Sequence, residues 1–167
     1  MIDVSMQGAT LTFSGGNLQS NVVLEFSDEG TPLEFPDLEV CGYAMTMNGE
    51  LVTWTRPTPI TFRISVIPGS VSDTALRNLL YAGHVGGKRG KAINQQGVYI
   101  ASATLSVPQI STEYKNSNSI VRSGGKQKFT FTNGRLTGGN PAIGSNAEGK
   151  MSVRTYNFVF ESVSYSR

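Results

Sequence analysis

The sequence predicts a mainly β chain, a β-sandwich or partly closed barrel, with one flanking α-helix at about 71–83 and long loops. Three observations carry this. The closing stretch RTYNFVFESVSYSR places aromatic side chains at every second position, Tyr156, Phe158 and Phe160. That is the period of a strand with one dry face. GYAMTMNGELVTW sets Asn48-Gly49 between two apolar runs, the strongest short-range hairpin signal. Only VSDTALRNLLYAGH keeps helical spacing.

The elements follow in chain order. ATLTF, residues 9–13, reads as a first strand, broken by Gly15 and Gly16. NVVLEF, 21–26, is a second, closed by the turn residues of SDEGTP. Pro32 and Pro36 make LEFPDL a sheet edge or a loop, because proline cannot donate to a ladder. In the hairpin, a two-residue Asn48-Gly49 turn pairs Met47 with Glu50, Met45 with Val52 and Tyr43 with Trp54. That register puts most of the large apolar residues on one face and reads Trp54 as core. ITFRISVI, 60–67, alternates Ile60, Phe62, Ile64 and Val66 with Thr61, Arg63 and Ser65, a strand wet on one face.

In the helix, Ser72 is the expected N-cap and Asp73 suits the first turn. Val71 and Leu76 stand at the positions of a hydrophobic staple. Leu76, Leu79 and Leu80 form the apolar stripe, and Gly83 ends it. GVYIASATLSV is a further strand, with Tyr99, Ala101, Ala103, Leu105 and Val107 on one side. KFTFTNG is a strand ending in a turn. Three loops are long: 83–97, 108–126 (with a short strand at Ile120 and Val121) and 134–150. Loops beyond about 12–15 residues are usually functional or disordered, and neighbouring subunits could order them. No repeat or composition break divides the chain, so residues 1–167 read as a single domain.

Composition narrows the function. Charged residues are 16% of the chain, against about 25% in ordinary soluble domains. So little charge does little to hold copies apart. The exterior is then either a neutral Ser/Thr/Asn surface or interface. A net charge of +2 is too small to indicate nucleic-acid binding. One cysteine, Cys41, excludes an internal disulfide framework, and one histidine beside it cannot build a zinc site. The N-terminus, MIDVSMQGATL, lacks a basic region followed by an apolar run, so a soluble protein without a cleaved signal is expected. No stretch reaches the roughly 20 apolar residues of a membrane span.

Catalytic chemistry is scarce. His84 could pair with Cys41 or a serine, but a lone histidine past a helix end more simply meets the helix dipole. Asp28-Glu29 and Asp37/Glu39 read as solvated turn carboxylates. Gly86-Gly87-Lys88-Arg89-Gly90-Lys91 lacks the P-loop order and follows a helix rather than a strand. It reads as a flexible basic loop facing an acidic neighbour.

KFTFTNG, a Gly/Pro/Ala-rich loop and RTYNFVFESV together resemble the C-terminal hairpin of tail tube proteins from contractile-tailed bacteriophages. The hairpin ending in Trp54, the Pro-flanked strand ITFRISVIPGS and the following helix match that family in order. The resemblance implies a non-enzymatic structural protein without cofactor or metal. Its copies would close into hexameric rings that stack into a hollow conduit for DNA ejection. Implied partners are itself, the tail sheath protein, the baseplate and tail-terminator proteins, and genomic DNA passing without specific binding. No membrane anchor is expected, and the protein would sit in the virion tail after assembly in the host cytoplasm. Candidate inter-subunit loop contacts are Lys88, Arg89, Lys91, Arg135, Asn140 and Lys150. The first three are expected to face outward or the next ring, not the bore. The type VI secretion tube protein, similar in fold, is one alternative. Another is a β-sandwich binding module of a baseplate or fibre, which an exposed aromatic cluster over a shallow groove would favour.

Overall fold

The computed structural model describes residues 2–3, 9–15, 22–23, 33–83, 99–114, 120–145 and 147–166. Among them, the strands are β1 (Ile2–Asp3), β2 (Thr10–Ser14), β3 (Val22–Val23), β4 (Leu33–Glu34), β5 (Cys41–Met45), β6 (Leu51–Thr55), β7 (Ile60–Val66), β8 (Tyr99–Tyr114), β9 (Ile120–Gly139) and β10 (Arg154–Ser166). The helix α1 spans Val71–Gly83, as its spacing predicts. Eight strands form one antiparallel sheet in the order β3-β2-β8-β9-β10-β7-β4, with β1 also on β8. The sheet curls into a half-barrel, so of the two expected forms the partly closed barrel is the one found.

The core lies between the curled sheet and α1. β10 alternates as its aromatics predict: Arg154, Tyr156, Phe158 and Phe160 are buried, and the residues between them are half-buried. Its register with β7 sets Phe158 opposite Phe62 and Tyr156 opposite Ile64. Phe62 lies parallel to Phe160 at 5.4 Å, and Phe13 meets Phe158 at 4.8 Å. Each such pair adds about 0.5–1.5 kcal/mol beyond burial. Leu76 and Leu79 bring the helix onto this layer.

The helix start differs from expectation. Ser70 is the N-cap: its Oγ accepts from the Asp73 amide at 3.1 Å, and its carbonyl accepts from Thr74. The Asp73 carboxylate accepts from the Gly69 amide at 3.0 Å. Val71 is 80% exposed and makes no staple. A serine placed three residues before Asp73 reaches the orphan amide that Ser72, already inside the helix, cannot.

One expected loop, 108–126, is largely strand, and another, 134–150, is strand over its first six residues. Residues 108–114 and 120–126 extend β8 and β9 into one long hairpin, paired from Pro108↔Lys126 to Tyr114↔Ile120. Its polar composition conceals the two-residue period, while backbone pairing needs no apolar side chain. Nor does Asn133-Gly134 end a strand: β9 runs on to Gly139, so the third loop begins at Asn140. Asn133 adopts φ 53°, a left-handed conformation asparagine tolerates. The registers to β8 and β10 both skip it. Inward residues on either side of it, Phe131 and Gly134, stand at an odd spacing, and the sheet changes phase there. Gly134 is required by close approach, since a Cβ would meet the Phe160 ring at 2.3 Å.

Past this point the face opposite the core carries hydroxyls in register. Ser14, Ser102, Thr132 and Ser162 form one row across β2, β8, β9 and β10. Thr12, Thr104, Thr130 and Ser164 form the next, and Thr10, Ser106, Lys128 and Ser166 the third. On the core face between them lie Leu11, Phe13, Ala103, Leu105 and Phe131, all buried.

Candidate assembly interface

One polar cluster is sealed inside the protein. Asp73 from the first turn of α1 meets Arg154 and Tyr156 from β10, and all three are at most 1% exposed. Tyr156 donates to Asp73 Oδ1 at 2.7 Å. Arg154 Nε lies 3.1 Å from the same oxygen but off its N–H axis, an ion pair rather than an aligned hydrogen bond. Its Nη2 donates to the Asn140 carbonyl at 2.8 Å. Burial first, and donation to Asp73 second, hold the Tyr156 phenol well above the ordinary tyrosine range. With no exposed member, the cluster offers nothing to a substrate and instead fixes the helix to the sheet. Tyr81 donates to the Pro141 carbonyl and ties down the far end of the helix.

The surface features lie elsewhere. Among the described residues, β5 and β6 form a sheet of their own, hydrogen-bonded to no strand of the main sheet. The register differs by one residue from expectation: Met45 pairs with Leu51, Tyr43 with Thr53 and Gly42 with Trp54. Thr46 and Glu50 close the ladder, and Gly49 at φ 83° makes a three-residue turn rather than a two-residue one. Glycine's left-handed backbone adds the extra residue, and Thr46 Oγ1 accepts from the Glu50 amide to hold it.

That shift distributes the apolar residues over both faces. Tyr43, Met45 and Leu51 lie on one side, and Val52 and Trp54 on the other. Trp54 is 51% exposed and Tyr43 74%. Trp54 lies across Gly42 rather than in the core, contrary to the sequence expectation. A two-stranded hairpin alone is marginal in water, and contiguous exposed apolar surface marks contact sites. At the root of this arm, Arg56 and Glu39 pair at 3.4 Å. Both are exposed, so the pair adds little.

A groove of about 640 Å³ lies where the sheet changes phase. Ile100, Gly134, Val159 and Phe160 line it, with Pro59 beside them. Arg135 sits 5.5 Å above the Tyr99 ring, and Asn133 donates to Glu161 at 3.1 Å.

The sequence-derived contact residues fall on different elements. Arg135 is on β9 in the groove wall, not in a loop. Asn140 and Lys150 are exposed in the connection from β9 to β10. Lys88, Arg89, Lys91, His84 and the pair Asp28-Glu29 lie outside the described residues. Among the described residues, no three His, Cys, Asp or Glu side chains gather into a metal-binding group. The exposed arm aromatics were legible only as apolar, and nothing in the alternation marked them as outward.

Solved structures share this architecture at low sequence identity. The sheath/tube terminator of an extracellular contractile injection system, PVC, in its extended state gives a TM-score of 0.52 at 12% identity, covering 99% of this chain and 97% of that chain. The tube-terminating cap of the anti-feeding prophage, AFP, gives 0.52 at 10% identity, covering 98% and 91%. An Hcp protein aligns more loosely, with a TM-score of 0.41 at 13% identity over 95% and 91%. The first two likenesses show a shared fold. It belongs to the tail fiber protein gp32 family, whose family model matches residues 2–124. Comparison with curated proteins finds no match. Membership of that family supports a tail-related role.

Proposed function

We propose that the protein is a wall subunit of a contractile tail tube, closing with copies of itself into hexameric rings around a conduit for DNA. The observation that carries this is the arm β5–β6, apolar on both faces and outside the chain's own core. A free monomer has no use for such an arm, whereas a head-to-tail ring buries it against the next copy. Strands added at a sheet margin supply the rest of the closure. The loop residues Lys88, Arg89, Lys91, Arg135, Asn140 and Lys150 would add contacts between copies or to the sheath. Baseplate and terminator proteins would meet the ends, and the assembly would form in the host cytoplasm and reside in the virion tail.

A second reading is favoured by the terminator and cap folds: a ring that ends the tube rather than repeating along it. A fibre or baseplate binding module is the reading the family's description favours, but the arm does not form its binding site, because Tyr43 and Trp54 lie on opposite faces rather than together over a groove. Negative-stain microscopy of the purified protein separates these. Stacked tubes support the wall subunit, and discrete rings support the terminator. A protein that stays monomeric at high concentration refutes both.

A further inference from the structure

The three hydroxyl rows on β2, β8, β9 and β10 are an unusual use of a sheet face. Of their twelve positions, eleven are serine or threonine and one is Lys128. Strand propensity explains threonine but not the serines, which have no such preference. A face kept for free solvent carries about 25–35% charged residues of both signs, and this one holds a single cation and no carboxylate. A face kept for another protein is apolar at its centre, with aromatics and arginine enriched, and this one has no apolar residue. Ser14 Oγ and Ser102 Oγ hydrogen-bond each other at 2.6 Å across the first row, so some of the hydroxyls are already held in place.

What remains is a neutral, hydrated wall. Resting on the ring-forming role proposed above, we infer that this grid is the face turned to the bore, and that its partner is a nucleic-acid duplex in transit. The absence of carboxylates removes repulsion of phosphate. The near absence of cations removes retention, since each neutralised phosphate adds salt-dependent affinity, with a slope of about −0.9 on a log–log plot. The hydroxyls contact the duplex through water and exchange partners as it moves. Lys128, between Ser106 and Ser166 in the third row, places one cation per copy at one end of the grid.

The test uses single-cysteine variants in a Cys41→Ser background. Thr104→Cys reports the grid, and Val71→Cys reports the exposed helix side. In assembled rings, Thr104→Cys should react with a small maleimide and lose all reaction with a maleimide on a carrier protein larger than the subunit. Val71→Cys should react with both. Rings in which the carrier still reaches Thr104→Cys overturn the bore assignment and leave the ring role standing. A preparation that never assembles overturns the ring role and this inference with it. A photoreactive group on Thr104→Cys should form adducts with duplex DNA added to the rings during assembly. Adducts with a protein cargo alone overturn the nucleic-acid partner. Thr104→Lys with Thr130→Lys should make rings retain duplex DNA at low salt and release it at high salt. Wild-type rings should show no such retention, and retention by them overturns the sliding surface.

Discussion

Asp73 and Arg154 meet 3.1 Å apart beneath the helix, each with a side chain at most 2% exposed. The pair joins the first turn of α1 to the start of β10, with Tyr156 as the third member. Removing one partner from such a pair leaves a charge buried without compensation, which costs about 3–5 kcal/mol. Asp73→Ala and Arg154→Ala should each lower stability by that order in urea unfolding. Asp73→Leu combined with Arg154→Met should cost less than either single change, because no stranded charge remains. A double variant as unstable as the sum of its singles would remove the ion pair from this account.

The same cluster sets a pH dependence. The folded-state pKa of Tyr156 is raised above the ordinary tyrosine value, by burial first and by donation to Asp73 second. A raised pKa means the folded state holds its proton longer than the unfolded state. The contribution is therefore complete below about pH 10 and is lost as pH rises beyond it. Tyr156→Phe should cost about 1.5–3 kcal/mol near neutrality, as for a hydrogen bond to a charged group. The gap between variant and wild type should narrow above pH 10. Parallel urea midpoints measured across that range decide it, and a constant gap counts against the phenol.

Much of this was legible in the sequence, and for a physical reason. β7, β10 and the helix each bury one face, so their periods appear in the residue order. Elements without a buried stripe left no such trace. Residues 108–114 and 120–126 pair through backbone, but their few apolar residues, Ile110, Ile120 and Val121 among them, keep no sustained two-residue period, and apart from a short strand at 120–121 they read as loop. Asn133-Gly134 has turn chemistry yet sits mid-strand, because the left-handed residue there serves a shift of sheet phase. Asp73 and Tyr156 are 83 positions apart, and nothing local relates them. The arm was found, but one extra turn residue moved its register and exchanged its faces.

Gly134 gives a sharper test of the phase shift. An alanine Cβ there would lie 2.3 Å from the Phe160 ring. Overpacking of this kind costs about 1–3 kcal/mol, while the entropy removed from the unfolded chain returns only about 0.4–1 kcal/mol. Gly134→Ala should therefore be destabilising on balance. Adding Phe160→Leu to it should cost less than Phe160→Leu costs alone in wild type, since the ring is what the methyl strikes. A neutral Gly134→Ala in thermal unfolding would mean that the ring moves aside freely.

Trp54 makes assembly observable without a label. It is the single tryptophan of the chain and is half exposed in the isolated subunit. If the arm is buried between copies, its indole leaves water as rings form. Emission should then shift to the blue and acrylamide quenching should fall as concentration rises, in step with the sedimentation coefficient. Tyr43→Ser alters the opposite face of the arm, away from Trp54. As an exposed substitution outside the core, it should change unfolding by no more than about 0.5 kcal/mol. It should nevertheless move both the spectral and the sedimentation transitions to higher concentration, because burying an aromatic side chain on one face of the arm contributes to closure wherever the indole lies. Rings that form with Trp54 emission unchanged would place the arm in solvent, and the contact between copies would have to be sought along the sheet margins at β3 and β4 instead.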